Sequence, residues 1–172
     1  MNRKIGKRYL CLMIFLLTAL SACAPSSVFD LYQGKSLKIA VVGEAPEVKE
    51  EQVEFVEITF TEMKDDEDYD AVIIRESNLL EASESQYAEV YLRSTIPFFF
   101  IGASNTIPFT VKDVEFDKTW EWAPGVGYAV GVLTMPEEVR HWSYGLYNDE
   151  KTDEHIQEMY ARIFETIGEL HP

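Results

Sequence analysis

Four apolar runs of strand length, each closed by glycine or by polar turn residues, restrict this chain to very few architectures. They are LKIAVVGE (Leu37 to Glu44), VEFVEITF (Val53 to Phe60), YDAVIIRES (Tyr69 to Ser77) and IPFFFIGAS (Ile96 to Ser104). A strand wetted on one face alternates apolar and polar residues. A near-continuous Val, Ile and Phe run, as in the first, third and fourth segments, belongs to a strand covered on both faces, the mark of a parallel sheet. Between the third and fourth runs, Tyr87, Val90 and Tyr91 stand three and four residues apart and predict a helix, with Ser83-x-x-Gln86 at the spacing of a capping box.

Buried strands alternating with helical stretches imply right-handed βαβ units. The links Glu44 to Gln52 and Thr61 to Asp68 are too short for full crossover helices, which take about a dozen residues. The expected domain is therefore α/β: a largely parallel sheet that resembles a reduced flavodoxin-like arrangement, with strand order 2-1-3-4 and one face thinly covered. Past it, Asp113 to Trp122 alternates acidic and apolar residues, APGVG (Ala123 to Gly127) supplies a turn, and YAVGVLT (Tyr128 to Thr134) follows. An antiparallel hairpin extension is expected there. Thr152 to Leu170 closes the chain as an amphipathic helix, with Ile156, Met159, Tyr160, Ile163, Phe164 and Ile167 in its stripe.

The N-terminus reads differently. Arg3, Lys4, Lys7 and Arg8 precede a 12-residue apolar stretch, Tyr9 to Leu20, and then Ser21 and Ala22. This is the pattern of a signal peptide over residues 1–22, too short to span a bilayer, which takes about 20 apolar residues. Leu20-Ser21-Ala22-Cys23 resembles the lipobox of bacterial lipoproteins. With KIAVVGEAPEV, YDAVIIRES, IPFFFIG and HWSYGLYND, most of the chain is similar to small lipoproteins of Bacillus-type bacteria. The resemblance implies a diacylated Cys23 at the mature N-terminus, a cell-membrane location on the extracytoplasmic face, and residues 23–36 as a tether. Phe29, Leu31 and Tyr32 suit packing of its second half against a single domain over 37–172. Cys11 leaves with the leader, so the mature chain has no second thiol for a disulfide.

Charge excludes some partners. The leader holds four of the 15 basic side chains and no acid, so 11 cations face 30 acids in the remaining 150 residues, a net charge of −19. Such a surface repels phosphate backbones, and nucleic acid is not an expected partner. The membrane, through the lipid anchor, and a protein or cell-wall partner are.

Chemistry is sparsely marked. Asp66, Asp68 and Asp70 have the 1-3-5 spacing of a calcium loop, but Ala71 and Ser77 stand where glycine and glutamate belong. His141, His155 and His171 have no zinc spacing, and GVGYAVG (Gly125 to Gly131) precedes a strand rather than following one, so no metal or cofactor is expected. Ligands of parallel sheets sit beyond the carboxyl ends of the strands where strand order reverses. The candidate binding residues are accordingly Glu44, Arg75, Glu76, Asn78, Ser104 and Asn105. Arg75 ends the apolar run Ala71 to Ile74 and must find an acceptor there, in a salt bridge to Glu44 or Glu76 or in a ligand, with Ser77 or Asn78 capping the helix that follows. Trp120, Trp122, Trp142, Tyr144 and Tyr147 form either a stacking platform for sugars or ordinary core.

The expected function is a non-enzymatic ligand- or partner-binding module on the membrane. The competing class is a cell-envelope hydrolase acting through Ser104 or His141. Replacing the lipobox thiol tests the address: Cys23→Ser should abolish labelling by a clickable palmitate analogue and move the protein from the membrane fraction to the medium. Unchanged labelling would remove the anchor.

Overall fold

The structure, a computed structural model, describes residues 29–64 and 68–170; the leader, Cys23, Asp66 and His171 lie outside the described residues. Strands β1 (Leu37–Val42), β2 (Val53–Ile58), β3 (Ala71–Ile74), β4 (Phe98–Ile101), β5 (Ala129–Thr134) and β6 (Val139–Tyr144) form one sheet in the order β2-β1-β3-β4-β5-β6. The first four are parallel, with Ile39 opposite both Phe55 and Ala71, and Val72 opposite Phe98. Strands β5 and β6 run antiparallel to their neighbours. The α/β class, the 2-1-3-4 order and an antiparallel extension follow the reading of the apolar runs.

Helices are α1 (Leu79–Ala82), α2 (Ser85–Arg93), α3 (Ile107–Thr110) and α4 (Asp153–Leu170). Strand alternation sends Leu37, Ile39, Val41, Ala71, Ile73 and Phe99 to one face, where Met159, Tyr160, Ile163, Phe164 and Ile167 of α4 cover them. Ala40, Val42, Val72, Ile74, Phe98 and Phe100 face the other way, against Leu79, Ala82, Tyr91 and Phe109. Each large side chain buried in these layers contributes about 1.5–3 kcal/mol. Among the described residues the α4 face has one helix, supplemented by residues 29–36, which lie along it as a strap. Tyr32 is buried on Phe164, ring centroids 6.2 Å apart, and its amide bonds the buried Glu50 carboxylate. Phe29 packs edge-on against Tyr147 and His155.

The ends of α4 are fixed locally. Thr152 accepts the His155 amide on its hydroxyl and the Ile156 amide on its carbonyl, which caps the first turn, where Asp153 and Glu154 complement the positive helix end. Further along, the Arg162 guanidinium donates to the Gly145 carbonyl at 2.6 Å, and the Tyr144 hydroxyl donates to Thr166 at 2.8 Å. The helix is thereby tied to the β6 edge of the sheet.

Three expectations are corrected. The hairpin is β5–β6, and Asp113 to Trp122 is a loop whose one ladder contact is an isolated bridge from Glu121 to Ala103. Its apolar residues do not share a side: Phe116 joins the α1–α3 layer beside Phe109, whereas Trp122 packs against the α4 layer at Tyr128. The segment carries the chain from one face to the other, and a left-handed Asp113 (φ 63°) breaks its extension. Second, the Ser83 and Gln86 capping box does not form. Helix α2 starts two residues after Ser83, whose hydroxyl donates to Leu80 and accepts the Phe116 amide. Third, neither Ser77 nor Asn78 caps α1 through its side chain; the Ser77 hydroxyl donates to the Asn78 side-chain oxygen instead.

Phe164 touches Tyr32, Phe55 and Tyr160. Phe164→Ala should lower the unfolding free energy by about 3–5 kcal/mol in urea titrations, since it opens a cavity beneath the helix that covers that face.

Candidate binding cleft at the strand ends

The chain leaves β1 to build β2 on one side and then crosses back to build β3 on the other. The connections therefore diverge beyond the carboxyl ends of β1 and β3 and leave a crevice between them. Two glycines shape its floor. Gly43 ends β1 at φ 110° and Gly102 ends β4 at φ 94°, backbone conformations that residues with a Cβ avoid. A Cβ on Gly43 would stand 2.7 Å from Asn78 Oδ1 and 3.0 Å from Arg75 Cβ; one on Gly102 would stand 2.7 Å from Glu76 Cγ. The turn leaving β3, Arg75 to Asn78, is thus wedged between two neighbouring strand ends.

Arg75 continues the alternation of Ala71 and Ile73, so its side chain turns to the α4 face. There it meets Tyr160, 85 residues away in sequence, and Nη1 donates to the phenol oxygen at 2.8 Å. Tyr160 is 1% exposed, and burial holds its phenol above the ordinary value, with the Arg75 cation opposing part of that rise. A phenol kept neutral in this way gives the guanidinium a hydrogen bond but no countercharge. No ion pair to Arg75 occurs among the described residues. The expected salt bridge to Glu44 or Glu76 is therefore replaced by a bond to a neutral acceptor.

Arg75 opens into a cleft of about 400 Å³. Glu44, Ala45, Pro46 and Glu47 form one wall, and Asp153, Ile156, Gln157 and Tyr160 of α4 form the other. Glu44, Glu47 and Asp153 are exposed, and none of them takes part in an ion pair among the described residues. One half-buried cation and three carboxylates thus share a small concave space.

Glu76, next in sequence, is exposed but already paired. Lys151 approaches its carboxylate at 2.9 Å, the Tyr128 hydroxyl donates to it at 3.3 Å, and the same ammonium sits 5.0 Å over the Tyr128 ring. Asn78 holds the turn through its amide, which donates to the Arg75 carbonyl. Ser104 and Asn105 follow β4, on the far side of β3. The Ser104 hydroxyl donates to the Trp120 carbonyl at 3.0 Å, and the Asn105 side chain accepts the Ile107 amide. His141, on β6, bonds the Thr106 hydroxyl through Nδ1. Ser104 and His141 thus each hold a structural partner other than the other.

Of the five aromatic residues, Trp122, Trp142 and Tyr144 join the core on the α4 side, Trp142 and Tyr144 both against Phe99 and Trp122 against Tyr128, while Tyr147 joins Phe29 and His155. Those three serve as core packing.

Of the residues expected at the site, Glu44 and Arg75 meet in the cleft, while Glu76 and Asn78 frame it. Glu47, Asp153 and Tyr160 were not foreseen. Of these only Tyr160 carried a signal, the α4 stripe, which puts Ile156 and Tyr160 one turn apart on the side facing the sheet. No protein-family profile, curated protein or solved structure matches this chain.

Tyr91, Tyr144 and Tyr160 are all held above the ordinary phenol value, chiefly by burial, Tyr144 to about 12. A raised pKa keeps the proton on the folded chain after the unfolded chain has lost it. Their stabilisation is therefore intact below about pH 10 and is lost as pH climbs toward the folded values, by up to about 1.4 kcal/mol per pH unit for each phenol. Tyr160→Phe should cost about 1 kcal/mol at pH 8 through the lost hydrogen bond, yet unfold with a shallower pH dependence than the parent above about pH 10. Parallel slopes in urea titrations would show that Tyr160 does not share in this loss.

Proposed function

We propose that this chain is a membrane-anchored extracytoplasmic lipoprotein whose α/β domain is a non-enzymatic binding module, with its ligand site in the strand-end cleft. The lipobox supports the anchor. The observation that carries the binding reading is Arg75: a guanidinium at the reversal of strand order, held by one hydrogen bond that it donates to a neutral phenol, beside three carboxylates that do not pair with it.

That arrangement favours a small ligand of both signs. Its anionic or strongly accepting group lies on the free N–H donors of Arg75, and its ammonium lies toward Glu44, Glu47 and Asp153. An anion alone meets the repulsion of the rim, and a cation alone leaves Arg75 unmatched. No serine, threonine, cysteine or histidine lines the cleft among the described residues, and the Ser104 proton is engaged by a carbonyl, so binding without turnover is the reading preferred over hydrolysis.

Thermal-shift titration with a panel of small zwitterions, amino acids and aminoalkyl phosphates among them, tests this. A ligand at a hundredfold excess over its Kd stabilises by about 2.7 kcal/mol, which for a domain of this size raises Tm by roughly 8 °C. Arg75→Ala should abolish the shift while leaving the unliganded Tm within a few degrees. Equal stabilisation of parent and variant would eliminate the site.

A further inference from the structure

We infer that the strap formed by residues 29–36 sets the domain on the membrane with its cleft end toward the bilayer. The inference rests on the lipid anchor proposed above and adds an orientation to it. Strand β1 starts at Leu37, at the end of the sheet opposite the cleft. A tether leaving directly from Leu37 would hold that opposite end against the membrane. Instead the strap runs back along α4. Lys35 lies beside Gly168 and Glu169 at the helix's C-terminal end, Tyr32 packs on Phe164 midway, and Phe29 reaches His155 in the first turns, at a ring distance of 5.7 Å. His155 and the cleft residues Asp153, Ile156 and Gln157 occupy opposite sides of the same helix turns, so Phe29 and the cleft stand about one helix diameter, ~10 Å, apart. Five residues, Ala24 to Val28, separate Cys23 from Phe29, a reach of at most ~22 Å.

Charge does not produce this orientation, because the cleft rim carries Glu44, Glu47 and Asp153, which anionic lipid repels. The docked strap and the short tether do. A ligand of the cleft is then met at the membrane surface rather than at the outer pole of the domain.

The mature chain lends itself to a direct test, since Cys23 is its only cysteine and is consumed by acylation. Glu47→Cys places a fluorophore at the cleft rim, and Glu137→Cys places one in the β5–β6 turn at the other end. Each full-length lipoprotein, extracted from membranes and reconstituted into vesicles of phosphatidylcholine and phosphatidylglycerol carrying a headgroup acceptor, is read by energy transfer. The expected result is at least twofold greater transfer from position 47, and a difference that collapses when Phe29→Ala undocks the strap. Equal or reversed transfer in the parent chain, or a difference that survives Phe29→Ala, overturns the inference. Flotation of the same samples with the vesicles separates the two readings: protein that floats but shows no preference retains the anchor without the orientation, and protein that does not float overturns both.

Discussion

Sealing the parallel strands on both faces is the constraint on which the rest of this structure depends. Strands β1, β3 and β4 carry large apolar side chains in both directions, so neither face tolerates water. Helices α1 to α3, following β3 and β4, meet that demand on one face. The other face receives no helix from the link β1–β2, which contributes Val48 and the Glu50 contact to Tyr32. Its main cover comes from segments at the two extremes of the domain, the strap and α4, with Val48, Trp122, Tyr128 and Leu146 filling in beside them. Those terminal segments accordingly supply buried rings to this face, Tyr32, Tyr160 and Phe164.

The same constraint creates the cleft. Alternation that turns Ala71 and Ile73 toward α4 also turns Arg75 toward it, one residue past the end of the strand. An aliphatic residue there would extend the core. A guanidinium requires acceptors, and α4 offers a phenol that burial keeps neutral. Glu76 and Arg75 are adjacent in sequence and opposite in outcome: the carboxylate is matched by Lys151 and Tyr128, and the cation is matched in hydrogen bonding but not in charge. Electrostatic incompleteness at a point where the sheet topology already leaves a crevice is the physical content of the binding proposal.

How much of this was legible in the sequence depended on the range of the signal. The four parallel strands and α4 declare themselves by runs and periodicity within a dozen or so residues, and their order follows from the lengths of the links. Asp113 to Trp122 misled because strict alternation was taken as one apolar side, when Phe116 and Trp122 serve opposite faces of the sheet. Strand β6 escaped because it is an edge strand with half-exposed residues, VRHWSY, whose pattern is weak without knowledge of β5. Arg75 was legible as a charge at the end of a buried run. Its partner was not, since nothing local ties residue 75 to residue 160.

The first turns of α4 gather three roles in one place. Thr152 caps them, Asp153, Ile156 and Gln157 form a wall of the cleft, and His155, held through Nδ1 to the Glu150 carbonyl, receives Phe29 on its other side. In the proposed reading the tether joins the domain at Phe29 and a ligand meets Asp153 and Gln157, on opposite sides of the same two turns. Those turns are fixed at their start by Thr152 and Glu150 and to the sheet further along by Arg162 and Thr166. Phe29 and Arg75 are 46 residues apart in sequence, and their closeness in the fold follows from covering the second face of the sheet with the two ends of one domain.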